Sequence, residues 1–245
     1  MNYLQFLTEE IHTVVAATVD RAGKPVTCAI DIMDHDEYGL YFLTARGKSF
    51  YQRLIDCPVL ALTGLKGPDT LHSVSLSLRG KVTEIGSDRL PALFEKNPYM
   101  AAIYPTPESR RALTVFLIHD GSGEWFDLSR KPIERQSFSF GSSIETNSRY
   151  MITENCIGCE TCLSVCPQQC IDVSDIPAVI HPDHCLHCGN CQSACPVGAV
   201  VLYLKKRGVV KRFAFLFCLP ERRRQRPCRL NCPSVFPARP GERPG

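Results

Sequence analysis

Two stretches of this chain carry the same cysteine spacing, 29 residues apart. Cys156, Cys159, Cys162 and Cys166 are answered by Cys185, Cys188, Cys191 and Cys195, each set reading C-x2-C-x2-C-x3-C-P and closing on Pro167 or Pro196. Three thiolates at this spacing wrap one four-iron cube, and the fourth begins a helix that carries it to a neighbouring cube. The runs therefore predict two [4Fe–4S] clusters with exchanged ligands. Cys156, Cys159, Cys162 and Cys195 are expected to hold the first, and Cys185, Cys188, Cys191 and Cys166 the second. A proline after each fourth cysteine suits the first turn of a helix, where no N–H is needed.

Structural zinc takes four ligands as two pairs, which does not match two runs of four. Disulfides require an oxidising compartment. The opening Met1–Glu10 has no basic region followed by an apolar stretch, and the apolar run Phe213–Leu219 is far below the roughly 18 residues of a membrane span. A cytoplasmic protein with no membrane partner is expected. There cysteines stay reduced, so 14 of them point to metal. Residues 150–203 resemble the bacterial two-cluster ferredoxins, with all eight ligands present. Cys170 falls at the repeat position of Ala199 and reads as a small buried thiol. Cys28 and Cys57 read as core residues, and Cys218, Cys228 and Cys232 have no fourth partner for a further metal site.

Net charge is +3, but twelve Lys/Arg against Glu221 and Glu242 lie beyond residue 203, leaving 16 basic and 23 acidic side chains before it. An acidic body with a basic Pro/Arg-rich tail over 204–245 follows, and the tail is expected to be disordered. Nothing in the body points to nucleic acid.

Ahead of the cysteines, alternating apolar runs separated by turn residues predict strands over Thr13–Asp20, Pro25–Met33, Gly39–Thr44, Val59–Leu65 and Val74–Ile85. Leu4, Leu7 and Ile11 mark a short helix over residues 1–12; Gly47–Asp56 reads as a second, stopped by Pro58, and Ser87 as the cap of a third running to Lys96. Asp120-Gly121-Ser122-Gly123, between Leu113–His119 and Glu124–Leu128, predicts a hairpin. The fold class expected is a mainly β closed barrel over 1–130, a Ser- and Arg-rich linker over 131–149, and a small α+β ferredoxin-type domain over 150–203.

Between Gly39 and Leu54 a strand ends at Thr44, and a turn carrying Arg46, Gly47 and Lys48 enters a helix at Ser49. Free backbone N–H groups, a hydroxyl and two cations meet there, a combination suited to a phosphate. Together with Cys57-Pro58, the Val59–Leu62 run and a long strand containing Arg79-Gly80-Lys81, this order resembles the pyridoxamine-5′-phosphate-oxidase-like FMN-binding split barrels. The resemblance implies FMN, with Thr44 at the flavin or ribityl chain, Lys48 on the phosphate and Arg46 and Ser49 beside it. It places Ser73 and Ser75 near the isoalloxazine, and it implies a homodimer. Two family features are missing. Pro25–Ile30 lacks the phosphate-binding Arg, and no Arg- and Trp-containing C-terminal substrate segment is present, so oxidation of pyridoxamine phosphate is not implied; Trp125 reads as a core residue.

Clusters move single electrons and a flavin takes one or two. The expected function is an iron–sulfur flavoprotein oxidoreductase exchanging electrons with a redox partner protein or a small substrate. A plain electron carrier and a redox or oxygen sensor are the alternatives. No side-chain acid, base or nucleophile is evident, and His12, His72 and His119 read as structural residues without visible partners.

Overall fold

The computed structural model describes residues 1–143 and 148–204. The basic tail, with Cys218, Cys228 and Cys232, lies outside the described residues.

The chain opens on a short helix, α1 (Tyr3–Gln5), whose first N–H groups are capped by the Asn2 side chain at 3.1 Å. It continues as a π-helical turn over Phe6–Ile11, where Leu7 is fully buried, and stops at His12 in a left-handed conformation (φ 64°). Seven strands then pair antiparallel in the order β2-β1-β5-β6-β7-β4-β3. They are β1 (Thr13–Val19), β2 (Pro25–Asp31), β3 (Asp34–Asp36), β4 (Gly39–Ala45), β5 (Val59–Lys66), β6 (Val74–Gly86) and β7 (Leu113–Asp127). The ladder does not close. The edge strands β2 and β3 are joined through Ile32 and Met33, whose N–H groups donate to His12 O and Tyr41 O. The result is a split barrel rather than a sealed one.

Alternate residues of β1, β4, β5, β6 and β7 fill the interior, among them Val14, Leu40, Phe42, Leu60, Leu76 and Phe116. Phe42 stacks on Phe116 at 5.5 Å. The other face of β4 and β7 is also covered. Tyr41, Leu113 and Val115 pack beneath α3 (Leu90–Lys96) and α4 (Met100–Ile103), so β4 is apolar on both faces. The helix after β4, α2 (Ser49–Asp56), starts two residues later than its sequence suggests, and α3 starts at Leu90 with Pro91 in its first turn and no side-chain cap from Ser87.

Two expectations are corrected. Asp120–Gly123 is not a hairpin, because Leu113–Asp127 runs through as one strand, bent where the pairing to β6 shifts register between Arg79 and Lys81. The linker also contains a strand, β8 (Glu134–Phe140), paired to β7. One cause explains both. Gly121 and Gly123 face Phe140 and Phe138, and a Cβ on either glycine would meet those rings at 2.3 and 2.5 Å. The glycines are seats for cross-strand aromatic rings, which fixes β8 on β7.

The cysteine region is a compact pseudo-repeat. β9 (Ser148–Ile152) pairs with β12 (Val200–Leu204), and β10 (Ile171–Asp172) with β11 (Val179–Ile180). Two short helices, α6 (Thr161–Ser164) and α7 (Asn190–Ala194), lie against each other between them. A further short helix, α5 (Pro107–Arg110), precedes β7.

Candidate cofactor sites

At one end of the barrel a cavity of about 290 Å³ opens between β2, the end of β4, the start of α2 and α4. Cys28, Asp31, Thr44, Lys48 and Phe50 line it. Thr44 ends the inward-facing series of β4 and is 3% exposed. Its Oγ1 is buried with no hydrogen-bond partner among the described residues. A buried hydroxyl left unpaired is disfavoured, so this one marks a place for a polar ligand atom. Lys48, in extended conformation, is the residue from which α2 springs, and its exposed ammonium is at the cavity. Burial pushes the Cys28 thiol above its ordinary value, against the pull of Arg53 and Lys48.

The other expected contacts do not line this cavity. The Arg46 guanidinium donates to Arg111 O (3.2 Å) and Leu113 O (3.3 Å) and approaches Glu84 at 3.5 Å. Ser49 is exposed at the first position of α2. Ser73 is buried with its hydroxyl donating to Thr70 O, and Ser75 is paired within the sheet between Leu65 and Phe126. Thus Thr44 and Lys48 share a cavity, and Arg46, Ser49, Ser73 and Ser75 are not among its lining residues. The histidines do have partners. His12 Nε2 is 2.9 Å from Tyr99 Oη, which donates to Asp31 at 2.7 Å on the cavity wall. His72 meets Asp69 at 2.8 Å, and His119 meets Thr83 at 2.9 Å. The pairings of His12 and His119 join residues 87 and 36 positions apart, which no local pattern signals, whereas Asp69 lies three residues before His72.

In the cysteine region the repeat is visible in the backbone. Left-handed residues recur at 158 and 187, 160 and 189, and 169 and 198, each pair 29 apart. Only Gly158, Gly189 and Gly198 are glycines; Glu160, Gln169 and His187 adopt the same conformation with a Cβ. Such residues turn successive N–H groups inward, as in the concavities that bind anions and iron–sulfur groups. The backbone N–H of His187 donates to Cys185 Sγ (3.4 Å) and that of Ala199 to Cys195 Sγ (3.2 Å).

Two cavities lie behind these loops. Cys156, Cys159, Cys162 and Cys195 line one, with Ile152, Val173 and Ala178. Cys166, Cys185, Cys188 and Cys191 line the other, with Tyr150, Ile171 and Ile180. Each thus holds three cysteines of one run and the last of the other. Among the described residues no three His, Cys, Asp or Glu side chains converge on a point, as the ligands of a single metal ion would. Residues 155–199 match the 4Fe-4S dicluster domain family.

The dicluster domain touches the barrel through Ile133, whose N–H donates to Gln168 Oε1 (3.3 Å) and whose carbonyl meets His184 Nδ1 at 2.9 Å. Within the domain Cys170 is buried, as is its counterpart Ala199. The Cys170 Sγ lies 3.6 Å from Cys166 Sγ, and its hydrogen bond to Cys185 raises the Cys170 thiol and lowers that of Cys185. Burial pushes the Cys191 thiol up to about 11.

Over 56% of its length the chain aligns with a NimC/NimA family protein from Clostridium acetobutylicum, at 18% identity and a TM-score of 0.47, covering 90% of that one. A protein related to general stress protein 26, of the pyridoxinephosphate oxidase family and from the same organism, aligns at 18% identity and a TM-score of 0.43, over 54% and 89%. A pyridoxamine 5′-phosphate oxidase-related, FMN-binding protein from Nostoc punctiforme aligns at 14% and 0.39, over 57% and 93%. None of the curated proteins compared with the chain matches it. Among the described residues no helix is long and apolar enough to cross a membrane.

Proposed function

We propose that this chain is an iron–sulfur flavoprotein oxidoreductase, exchanging electrons between two [4Fe–4S] clusters and FMN, and to or from a small substrate. The observation that carries the reading is the sorting of eight cysteines into two four-thiol cavities with one ligand exchanged between runs. The clusters supply one-electron transfer, and the flavin interconverts one- and two-electron steps.

The chain's own residues do the holding and the shielding. The left-handed loops aim N–H groups at the ligand sulfurs, and Ile152, Ile171, Ile180 and Val200 keep water from them. In the barrel, the Thr44 hydroxyl gains a partner in the flavin or its ribityl chain, and Lys48 faces the phosphate. Arg46, already engaged with Glu84 and two carbonyls, steadies the turn that presents Lys48. At about 290 Å³ the cavity is at the small end of ligand pockets. A second subunit completes it in this reading, which makes the protein a homodimer.

Protein prepared without air should contain about eight irons and eight labile sulfides per chain, and about one extractable FMN. One or two zinc ions without labile sulfide would reject the cluster assignment. Substrate-dependent reoxidation of the flavin separates an oxidoreductase from an electron carrier or a sensor.

A further inference from the structure

The two cysteine cavities have matching backbones but unmatched charges. Glu160 and Asp175 line the first. The second half has Gly189 where the first has Glu160, both left-handed, and among the described residues no acidic or basic side chain lines the second cavity. Glycine would suit the Glu160 backbone better, since a Cβ disfavours that conformation. The carboxylate stands there against local preference.

A cation of the barrel stands beside the loop that carries the second cavity's cysteines. Arg135 of β8 lines a cleft with His187, one of the two residues between Cys185 and Cys188. Its side chain is 16% exposed, and its Nε is buried without a hydrogen bond among the described residues. Phe126 lies under the guanidinium at 5.0 Å and Glu124 approaches at 3.5 Å, but that glutamate is 42% exposed and more fully screened by water. Arg149 and Asp183, also on the cleft, carry opposite charges. Gln168, on the wall of the second cavity, is tied to Ile133 of the barrel.

Reduction adds a negative charge to a cluster. A nearby cation favours it and a nearby carboxylate opposes it, most strongly where water is scarce. We infer that Arg135, with a smaller contribution from the exposed Glu160 carboxylate, holds the two clusters at different reduction potentials, the second cluster (Cys166, Cys185, Cys188, Cys191) being the higher and the one on the barrel side. This rests on the reading that each cavity holds a [4Fe–4S] cluster. The barrel thus sets the order in which its attached clusters are reduced.

The test is a potentiometric titration of the full chain, prepared anaerobically, reduced with dithionite and followed by electron paramagnetic resonance. Wild type should show two one-electron steps. Arg135→Gln should lower the upper step by about 59 mV, a tenfold change, and leave the lower step in place. Arg135→Lys should restore the upper step. Glu160→Gln, at an exposed site, should raise the lower step alone, and it decides the matter if Arg135→Gln fails to fold. The inference is overturned if both steps are present and Arg135→Gln moves the lower one, both equally or neither, or if Glu160→Gln moves the upper one. A chain without four-iron clusters would instead reject the reading beneath it.

Discussion

Replacing Thr44 by valine separates stability from ligand binding, because the two effects have opposite signs. Valine keeps the shape of threonine and its fit to a strand, and removes a hydroxyl that is 3% exposed and unpaired among the described residues. An unsatisfied buried hydroxyl costs about 1–3 kcal/mol, so the flavin-free variant should be more stable by about that amount. For a domain of this size, each kcal/mol raises Tm by roughly 2–4 °C. Flavin binding should move the other way, since a hydrogen bond worth about 0.5–1.5 kcal/mol is lost, weakening FMN roughly two- to tenfold. Trp125, the single tryptophan, is buried in the barrel core, so its fluorescence during thermal unfolding reports on the barrel. Flavin affinity is read by titration into the stripped full chain. A valine variant that melts earlier, or that binds FMN as well as wild type, would refute the assignment of Thr44.

Lys48→Ala should weaken FMN by roughly tenfold to a hundredfold, the loss of one charge-assisted contact of about 1.5–3 kcal/mol, and leave riboflavin nearly unaffected; parallel titrations of the two flavins check this. Cys195→Ala should damage the cluster of Cys156, Cys159 and Cys162 and spare that of Cys185, Cys188 and Cys191, which resonance spectra of the reduced variant will show. Asp36 tests the pH dependence of the fold. Burial would raise its carboxyl, but bonds from Tyr41 Oη (2.7 Å), the Tyr38 N–H and Arg89 outweigh burial and hold it below its ordinary value. Its stabilisation is therefore present above the unfolded carboxylate value and lost as pH falls through the lower folded one. Asp36→Asn should cost about 1–2 kcal/mol at pH 7, with the difference from wild type closing below about pH 4 in urea melts.

The cysteine cavities were legible in the chain because three thiols of each are separated by two residues, and the fourth, from the other run, follows from the repeat of the same spacing. The same holds for the strand end at Thr44 and the helix start after Lys48, which depend on residues within one turn. The alternating patterns of β1, β5 and β6 were likewise readable, since each strand buries one face. By contrast, Gly121 and Gly123 read locally as a turn and became strand only because Phe138 and Phe140, some 15 to 20 residues later, need a flat surface to lie on. The polar segment holding those rings became β8 for the same reason. The partners of Arg46, Glu84 and the carbonyls of Arg111 and Leu113, come from distant strands and segments, as do those of His12, Tyr99 and Asp31. Arg135, 50 residues from Cys185 in the chain, comes to the cleft beside His187 only because β8 docks on β7. Covalent spacing determines what a short segment can bind. Burial, pairing and local field depend on neighbours that only the tertiary fold supplies.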